Sequence, residues 1–333
     1  MSLKVLFIGE TGIISSACSA LALERGIDLY LLNRGKSFRP VPERAMVLHG
    51  DIRDPASTAT ALADHTFDVV VNWIAFSPEH IETDLNLFRG RTGQYVFISS
   101  ASAYQTPPAS LPITESTVLH NPFWGYSRNK IACEERLVKA YREENFPATI
   151  VRPSHTYDQT LLPMDGGYTV INRMRQGKPV VVHGDGTSLW TLTHHRDFAK
   201  GLIGLLGNPA TLGESFHITS DEVVTWDQIY RLFAEVAKAP TPTLIHVPSD
   251  VIAAHDSRWG EGLLGDKAHC MIFDNQKIKR FVPDFTATIP LFQGAREIMD
   301  WYDGDPSRQK VDEKFDAMLE TLIAAQSKAM PSM

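Results

Sequence analysis

Two textures alternate along the first 150 residues. Short runs are apolar on consecutive positions, as in Val5-Leu6-Phe7-Ile8 and Val69-Val70-Val71, and between them apolar residues recur at helical spacing. Consecutive apolarity is expected when both faces of a strand are covered, and strands alternating with helices give a parallel sheet between helical layers. The pattern predicts strands at Lys4–Ile8, Asp28–Leu32, Ala45–Leu48, Asp68–Asn72, Gln94–Ser99 and Ala148–Val151, with helices over about 12–25, 55–64, 78–89 and 126–145. The second half is less regular, punctuated by Pro153, Pro163, Gly166-Gly167, Pro179 and Gly184-Asp185-Gly186. A helix at 197–206, a strand at Glu214–Ile218 and a helix at 225–238 precede a stretch of short elements from about 240 to 305. Over residues 307–326, Val311, Phe315, Met318, Leu319 and Leu322 share one helical face, which predicts a final amphipathic helix packed on the body of the protein.

The chain has 333 residues, 43% of them hydrophobic, enough for one large or two modest domains with a substantial core. Its 39 acidic and 32 basic side chains leave a net charge of −7, which argues against a nucleic-acid surface and against docking to anionic membranes. No apolar run approaches the roughly 20 residues that span a bilayer. The N-terminal run Val5–Ile8 is too short for a signal peptide. Cys18, Cys133 and Cys270 are odd in number and far apart, without the spacing of a zinc site or a disulfide. The expectation is a cytoplasmic protein that binds no metal.

Directly after the first strand stands Gly9-Glu10-Thr11-Gly12-Ile13-Ile14-Ser15, leading into a helix. A strand, a glycine turn and a helix N-terminus make an anion site, because free backbone N–H groups and the positive end of the helix dipole face the same point. Gly9 turns the chain and Gly12 lets the backbone approach a pyrophosphate, so Gly9, Thr11, Gly12 and Ile13 are candidate dinucleotide contacts. Ser15 takes the position of a third glycine, where a small side chain is expected to fit. The second strand ends in Asn33-Arg34-Gly35-Lys36. A carboxylate there would suit the ribose of NAD, whereas Arg34 suits the 2′-phosphate of NADP, so NADP is favoured over NAD. After the third strand, Asp51-Ile52 could meet the adenine, or Asp51 could cap a short helix.

Tyr126 and Lys130 lie four residues apart at the start of a predicted helix and therefore on one face. An ammonium about 4 Å from the phenol contributes on the order of 4 kcal/mol at an effective dielectric of about 20, bringing the tyrosine pKa from about 10 toward 7. Such a tyrosine can take a proton from an alcohol as hydride leaves its carbon, or return it in reduction. Ser100 emerges at the C-terminal end of the fifth strand, where open α/β sheets bind ligands, and could hold the reacting oxygen against Tyr126.

With these residues in order, the chain resembles the extended short-chain dehydrogenase/reductases, the NAD(P)-dependent epimerase/dehydratase group that includes UDP-glucose 4-epimerase. The matching positions are Gly9-x-x-Gly12, Asp51-Ile52, Phe97-Ile98-Ser99-Ser100-x-x-x-Tyr104, Tyr126-x-x-x-Lys130 and Val151-Arg152-Pro153. Later ones are Gly184-Asp185-Gly186-Thr187, His195-x-Asp197-Phe198-Ala199 and Phe273-Asp274-Asn275 before Lys277. The resemblance implies an α/β fold, a Rossmann-type doubly wound parallel sheet with a smaller C-terminal substrate lobe. Residues 1–160 with about 195–220 would bind the dinucleotide, 161–194 and 221–305 the substrate, and 306–333 would form the C-terminal helix. It also implies Ser100, Tyr126 and Lys130 as the catalytic triad, Lys130 on the nicotinamide ribose and Asn72 near the cofactor. The reaction would be oxidation, reduction or epimerisation at a secondary alcohol or ketone of a carbohydrate-like small molecule, nucleotide sugars included. A homodimer through the helices near 78–89 and 126–145 is the quaternary arrangement it suggests.

Several positions depart from that pattern. Ala101 and Ser102 follow Ser100 where sugar-nucleotide 4,6-dehydratases carry an acidic pair, which disfavours dehydration. Ser154-His155 follows Pro153 in place of an asparagine, and Ser188-Leu189-Trp190 stands where a diphosphate-binding arginine is common. Trp190 cannot neutralise phosphate, although an indole can stack on a sugar. His194 and His195, as neighbours on a strand, would point to opposite faces, so they do not form a metal site with His155 and Asp197. Trp73, Phe76, Phe123 and Trp124 are candidate cleft walls. The alternative is a nucleotide-sensing or RNA-binding protein without turnover, since the Asn33-Arg34-Gly35 turn is similar to that of plastid stem-loop RNA-binding proteins.

Overall fold

In the computed structural model, which describes residues 2–9, 12–36, 39–63 and 65–329, strands and helices alternate much as the sequence texture does. The first half runs β1 (Lys4–Ile8), α1 (Ile13–Glu24), β2 (Asp28–Asn33), β3 (Met46–His49), α2 (Pro55–Leu62), β4 (Phe67–Asn72), α3 (Pro78–Phe88), β5 (Thr92–Ile98), α4 (Gly125–Glu144) and β6 (Ala148–Pro153). Short elements follow: β7 (His155–Tyr157), α5 (Tyr168–Arg175), β8 (Val180–His183), β9 (Leu189–Trp190) and β10 (Leu192–His194). Then come α6 (His195–Leu205), β11 (Ser215–Ile218), β12 (Val224–Thr225), α7 (Trp226–Val236), β13 (Leu244–Val247), α8 (Ser249–His255) and α9 (Ser257–Gly262). A π-helical turn at Leu263–Lys267 leads to α10 (Gln276–Phe281), α11 (Leu291–Asp303) and α12 (Glu313–Ala329).

Among the described residues, seven strands form the central sheet in the order β11-β6-β5-β4-β1-β2-β3, with every pairing parallel. Side chains alternate between its faces. Val5, Phe7, Leu31, Val69 and Val71 join Cys18, Phe198 and Leu202 of α1 and α6 in one core. Leu6, Ile8, Leu32 and Val70 join Ile81, Leu85, Cys133 and Leu137 of α3 and α4 in the other. Two covered faces are why β1 and β4 tolerate no polar residue in their middles. Each such side chain contributes roughly 1.5–3 kcal/mol by its burial. β1 pairs with β2 on one side and β4 on the other, so the direction of winding reverses there. A crevice opens beyond the C-terminal ends of strands at such a point.

The last helix differs from its sequence expectation at its start. Asp312 accepts the N–H groups of Lys314 and Phe315 at 3.0 Å each, so the helix begins at Glu313 and Val311 stays outside it, exposed. Leu319 and Leu322 are buried in a cluster with Val181 of β8 and Val247 of β13. β7 to β10 leave no periodic signal because strands of two to four residues are shorter than the window a period requires.

Candidate active site

Directly after β1 stands Gly9 at φ +84°, a left-handed backbone that favours glycine, and a Cβ there would stand 2.5 Å from Cγ2 of Ile74. The loop after β4 can therefore lie directly on the turn after β1. Thr11, expected among the dinucleotide contacts, lies outside the described residues, as does Glu10. Gly12 caps α1 and donates its N–H to Ser15 Oγ at 2.8 Å, so the serine in the third-glycine position is both enclosed and hydrogen-bonded. The first turn of α1 carries no acidic residue, which leaves its dipole unopposed toward an anion.

A cleft of about 580 Å³ begins at Gly9 and Gly12 and passes Leu32, Asn33, Arg34 and Lys36. It continues to Gly50, Asp51, Ile52 and Arg53 and closes on Ile74 and Phe76. Cofactor clefts fall at roughly 300–1,000 Å³. Asn33 Oδ1 accepts the N–H of Gly35 at 2.8 Å and shapes the turn that presents Arg34. Arg34 reaches Asp51 at 3.7 Å, with the arginine largely in solvent and the aspartate half-buried. Asp54, not Asp51, caps α2, accepting from the N–H groups of Ala56 and Ser57. Asp51 instead accepts the N–H of Arg53 at 3.0 Å and remains in the cleft wall. Ile13, half-buried as the first residue of α1, lies outside that wall.

Asn72, expected near the cofactor, is fully enclosed behind the cleft wall. Its Nδ2 donates to Asp84 at 2.5 Å and its Oδ1 accepts the N–H of Ile74 at 2.8 Å, so it shapes the cleft wall from beneath. Arg53, for which the sequence carries no signal beyond its place after Asp51-Ile52, lines the cleft and donates to the Ile74 carbonyl.

Phe76 in the cleft wall and Tyr126 stand 6.5 Å apart, ring to ring, and a second pocket of about 320 Å³ opens beside Tyr126. Ser100, Ser102, Trp124, His155, Trp190, Asp266 and Lys267 are in its walls. Ser100 Oγ and Ser102 Oγ lie 2.9 Å apart, and Ser127 Oγ donates to Ser102 Oγ at 2.7 Å. The hydroxyl row thus ties the end of β5 to the start of α4. Trp190 donates its indole N–H to Nδ1 of His155 at 3.1 Å, and burial pushes the pKa of that histidine down to about 3, leaving it neutral.

Lys130 is buried, with Nζ donating to the carbonyls of Ala75 and Ile98 at 2.7 Å each. The ammonium sits 4.7 Å from the Phe76 ring centroid and 5.7 Å from that of Tyr126. Burial brings its pKa down to about 8, against the pull of Cys133 and Glu134. The expected lowering of the Tyr126 pKa does not occur in this arrangement. Burial dominates and raises it to about 12, the Ser100 hydroxyl opposing and the Asp266 carboxylate adding to the rise. The ammonium is committed to two carbonyls, and desolvation of the phenolate outweighs its field.

Phe76 and Trp124 are walls, as expected, whereas Trp73 packs edge-on against Phe7 at 5.4 Å in the core and Phe123 is exposed. His194 and His195 do not point apart. His194 ends β10 and caps α6, and the two rings lie 4.6 Å centre to centre, because the chain turns from strand to helix between them. Among the described residues no group of His, Cys, Asp or Glu is arranged to hold a metal ion. No helix among them is long and apolar enough to cross a membrane.

Comparison with known proteins bears on this pair of spaces. The chain is 26% identical over 257 residues to the chloroplast stem-loop binding protein of 41 kDa b from Arabidopsis thaliana, a stretch covering 73% of this chain and 65% of that protein, just under two thirds. It is 23% identical over 299 residues to 2′-dehydrokanamycin reductase from Streptomyces kanamyceticus, covering 85% and 80% of the two chains. The fold is shared with dTDP-glucose 4,6-dehydratase from Bacillus anthracis str. Ames in complex with NAD, at a TM-score of 0.73, 17% identity and coverage of 92% and 98%. The stretch that supplies the glycine turn, the serines after β5 and the Tyr126–Lys130 helix, residues 5–219, is matched by one family model, and the chain belongs to the NAD dependent epimerase/dehydratase family.

Proposed function

We propose that this protein is an NAD(P)-dependent oxidoreductase or epimerase acting on a secondary alcohol or ketone of a carbohydrate-like substrate, with Tyr126 as the group that moves the proton. The observation that carries this reading is that Tyr126 and Ser100 share the wall of one pocket, and Phe76 joins that pocket to the cleft at the glycine turn. Gly9, Gly12 and the start of α1 suit a pyrophosphate, and Arg34 with Asp51 and Ile52 would hold the adenosine end. When bound there, a nicotinamide dinucleotide supplies the hydride acceptor or donor. The cations Arg34 and Lys36, with no carboxylate ending β2, support NADP over NAD. The division of labour follows the chain: residues 1–160 with about 195–220 for the dinucleotide, 161–194 and 221–305 for the substrate.

In reduction, Tyr126 Oη gives its proton to the substrate oxygen, and in oxidation it takes that proton back. With its pKa raised to about 12 by burial, the phenol is protonated at neutral pH, the form that gives a proton to a ketone oxygen. Ser100 Oγ donates to the same oxygen. Its position is set by the Ser102 N–H, which donates to it at 3.2 Å, and by the Ser102 hydroxyl. Lys130 Nζ fixes the carbonyls of Ala75 and Ile98 and so holds the wall between the two spaces. Ala101 and Ser102 offer no acid pair, so loss of water is not part of this reading. The Streptomyces relative's name as a reductase of 2′-dehydrokanamycin supports the reductive arm and a sugar-like substrate.

The test is Tyr126→Phe, followed by nicotinamide absorbance across a panel of ketoses, alditols and nucleotide sugars. Dinucleotide affinity should be unchanged while turnover falls by about 100-fold or more. Equal turnover in the two proteins would refute the assignment. The stem-loop binding named for the Arabidopsis relative makes RNA the rival ligand. It has a signature of its own, a gel shift that weakens steeply with salt.

A further inference from the structure

Asp266 is a carboxylate that the proposed reaction does not use. It sits on the π-helical turn Leu263–Lys267, a geometry that tends to mark functional positions. The turn is held from several elements at once. Asn121 Nδ2 donates to the Gly265 carbonyl at 2.7 Å and to the Ser102 carbonyl at 2.8 Å, while Asn121 Oδ1 accepts the N–H of Trp124 at 3.1 Å. One side chain therefore locks the π turn, the serine turn and the start of α4 together. The Lys267 carbonyl accepts three further donors, His183 Nε2 at 3.0 Å, Trp226 Nε1 at 3.1 Å and Ser188 Oγ at 3.3 Å. A Cβ on Gly265 would lie 2.8 Å from Cβ of Trp124, so the turn rests directly on α4.

Asp266 lines the same pocket as Ser100, Tyr126 and Trp190. Among the described residues nothing donates a hydrogen bond to its carboxylate, and Lys267, in the same wall, acts on it through charge alone while standing 3.9 Å from Asp165. We propose that Asp266 is the specificity-determining residue of this pocket and that it takes an ammonium substituent of the carbohydrate-like substrate, an inference that rests on this pocket being the substrate site. A hydroxyl would meet the carboxylate's hydrogen-bonding need without adding positive charge to that of Lys267, which stands in the same wall and is shared with Asp165. An ammonium supplies donors and charge together. The indoles of Trp124 and Trp190 in the same walls are surfaces that attract cations. Burial pushes the pKa of Asp266 up to about 7, outweighing the opposing charge of Lys267.

The experiment is calorimetric titration of the protein, with NADP(H) present, using methyl glucoside and its 2-, 3-, 4- and 6-amino-deoxy analogues. At least one amino analogue is expected to bind tenfold or more tightly than methyl glucoside, and Asp266→Asn should abolish that preference while leaving dinucleotide affinity unchanged. If that variant fails to fold, Asp266→Ser makes the same comparison. No preference for any amino analogue in the native protein, or a preference that survives removal of the carboxylate, overturns the proposal. Both results are independent of turnover, so a failure here leaves the role of Tyr126 standing, and a failure of Tyr126→Phe to lose activity leaves this binding result readable.

Discussion

Asp84→Asn should remove one pH-dependent contribution to the stability of this protein over a definite window. Asp84 lies on α3 beneath the cleft, fully buried, with Oδ2 accepting from Asn72 and from the Tyr95 hydroxyl, and with no partner for Oδ1 among the described residues. Burial raises its pKa from 3.8 to about 7, outweighing the two hydrogen bonds and the Arg53 charge. The native state therefore keeps a proton that the unfolded chain has released between those two values. Stability from this group is fully present below about pH 4, is lost as pH rises toward about 7, and is level above that. The gap between 3.8 and about 7 is worth about 4 kcal/mol, at about 1.4 kcal/mol per tenfold change in proton affinity. An asparagine keeps an acceptor for Tyr95 and cannot titrate. Urea unfolding of both proteins at about pH 4, 5, 6 and 8 should show the variant gaining on the native chain by about 4 kcal/mol across the series. Subtracting one protein from the other removes the groups they share, Asp266 included. A stability difference that stays constant from about pH 4 to 8 would refute the reasoning.

The remaining expectations concern the cofactor end and the buried ion pair. Arg34→Ala should weaken NADP binding about tenfold or more and NAD binding far less, since a lone 2′-phosphate contact is lost, and equal losses in two fluorescence titrations would remove the case for NADP. Glu134→Gln leaves Arg152 buried without the carboxylate that now meets it through Nε and Nη2, at a cost of about 3–5 kcal/mol in unfolding free energy. Because Ser99 also donates to Glu134, the same variant should lower turnover at the adjoining Ser100. Native stability in that variant would mean the pair is not the partner Arg152 depends on.

Most of the sheet was legible from residue order because a doubly covered strand leaves a local signature. Val5 to Ile8 and Val69 to Val71 are apolar on both faces, and no tertiary knowledge is needed to see it. The glycine turn was legible for a related reason, since Gly9 answers to a backbone dihedral that only glycine adopts easily. The hydroxyl, phenol and ammonium of Ser100, Tyr126 and Lys130 could be proposed from spacing along one strand end and one helix face.

Their energetics could not. Tyr126 and Lys130 are one turn apart in any helix, and whether the ammonium lowers the phenol depends on what else it touches. Here Ala75 and Ile98 hold it, and burial decides the sign. Asn72 and Asp51 show the same division: each ends or follows a strand as expected, but only packing put one beneath the wall and the other in it. Asp266 is the furthest from sequence, since it stands 140 positions beyond Tyr126 on a turn with no periodicity. Sequence alone set the sheet, the glycine bend and the order of Ser100, Tyr126 and Lys130, because those follow from neighbours along the chain. Tertiary structure alone decided which charges are compensated, because desolvation and pairing depend on contacts between segments far apart in the chain.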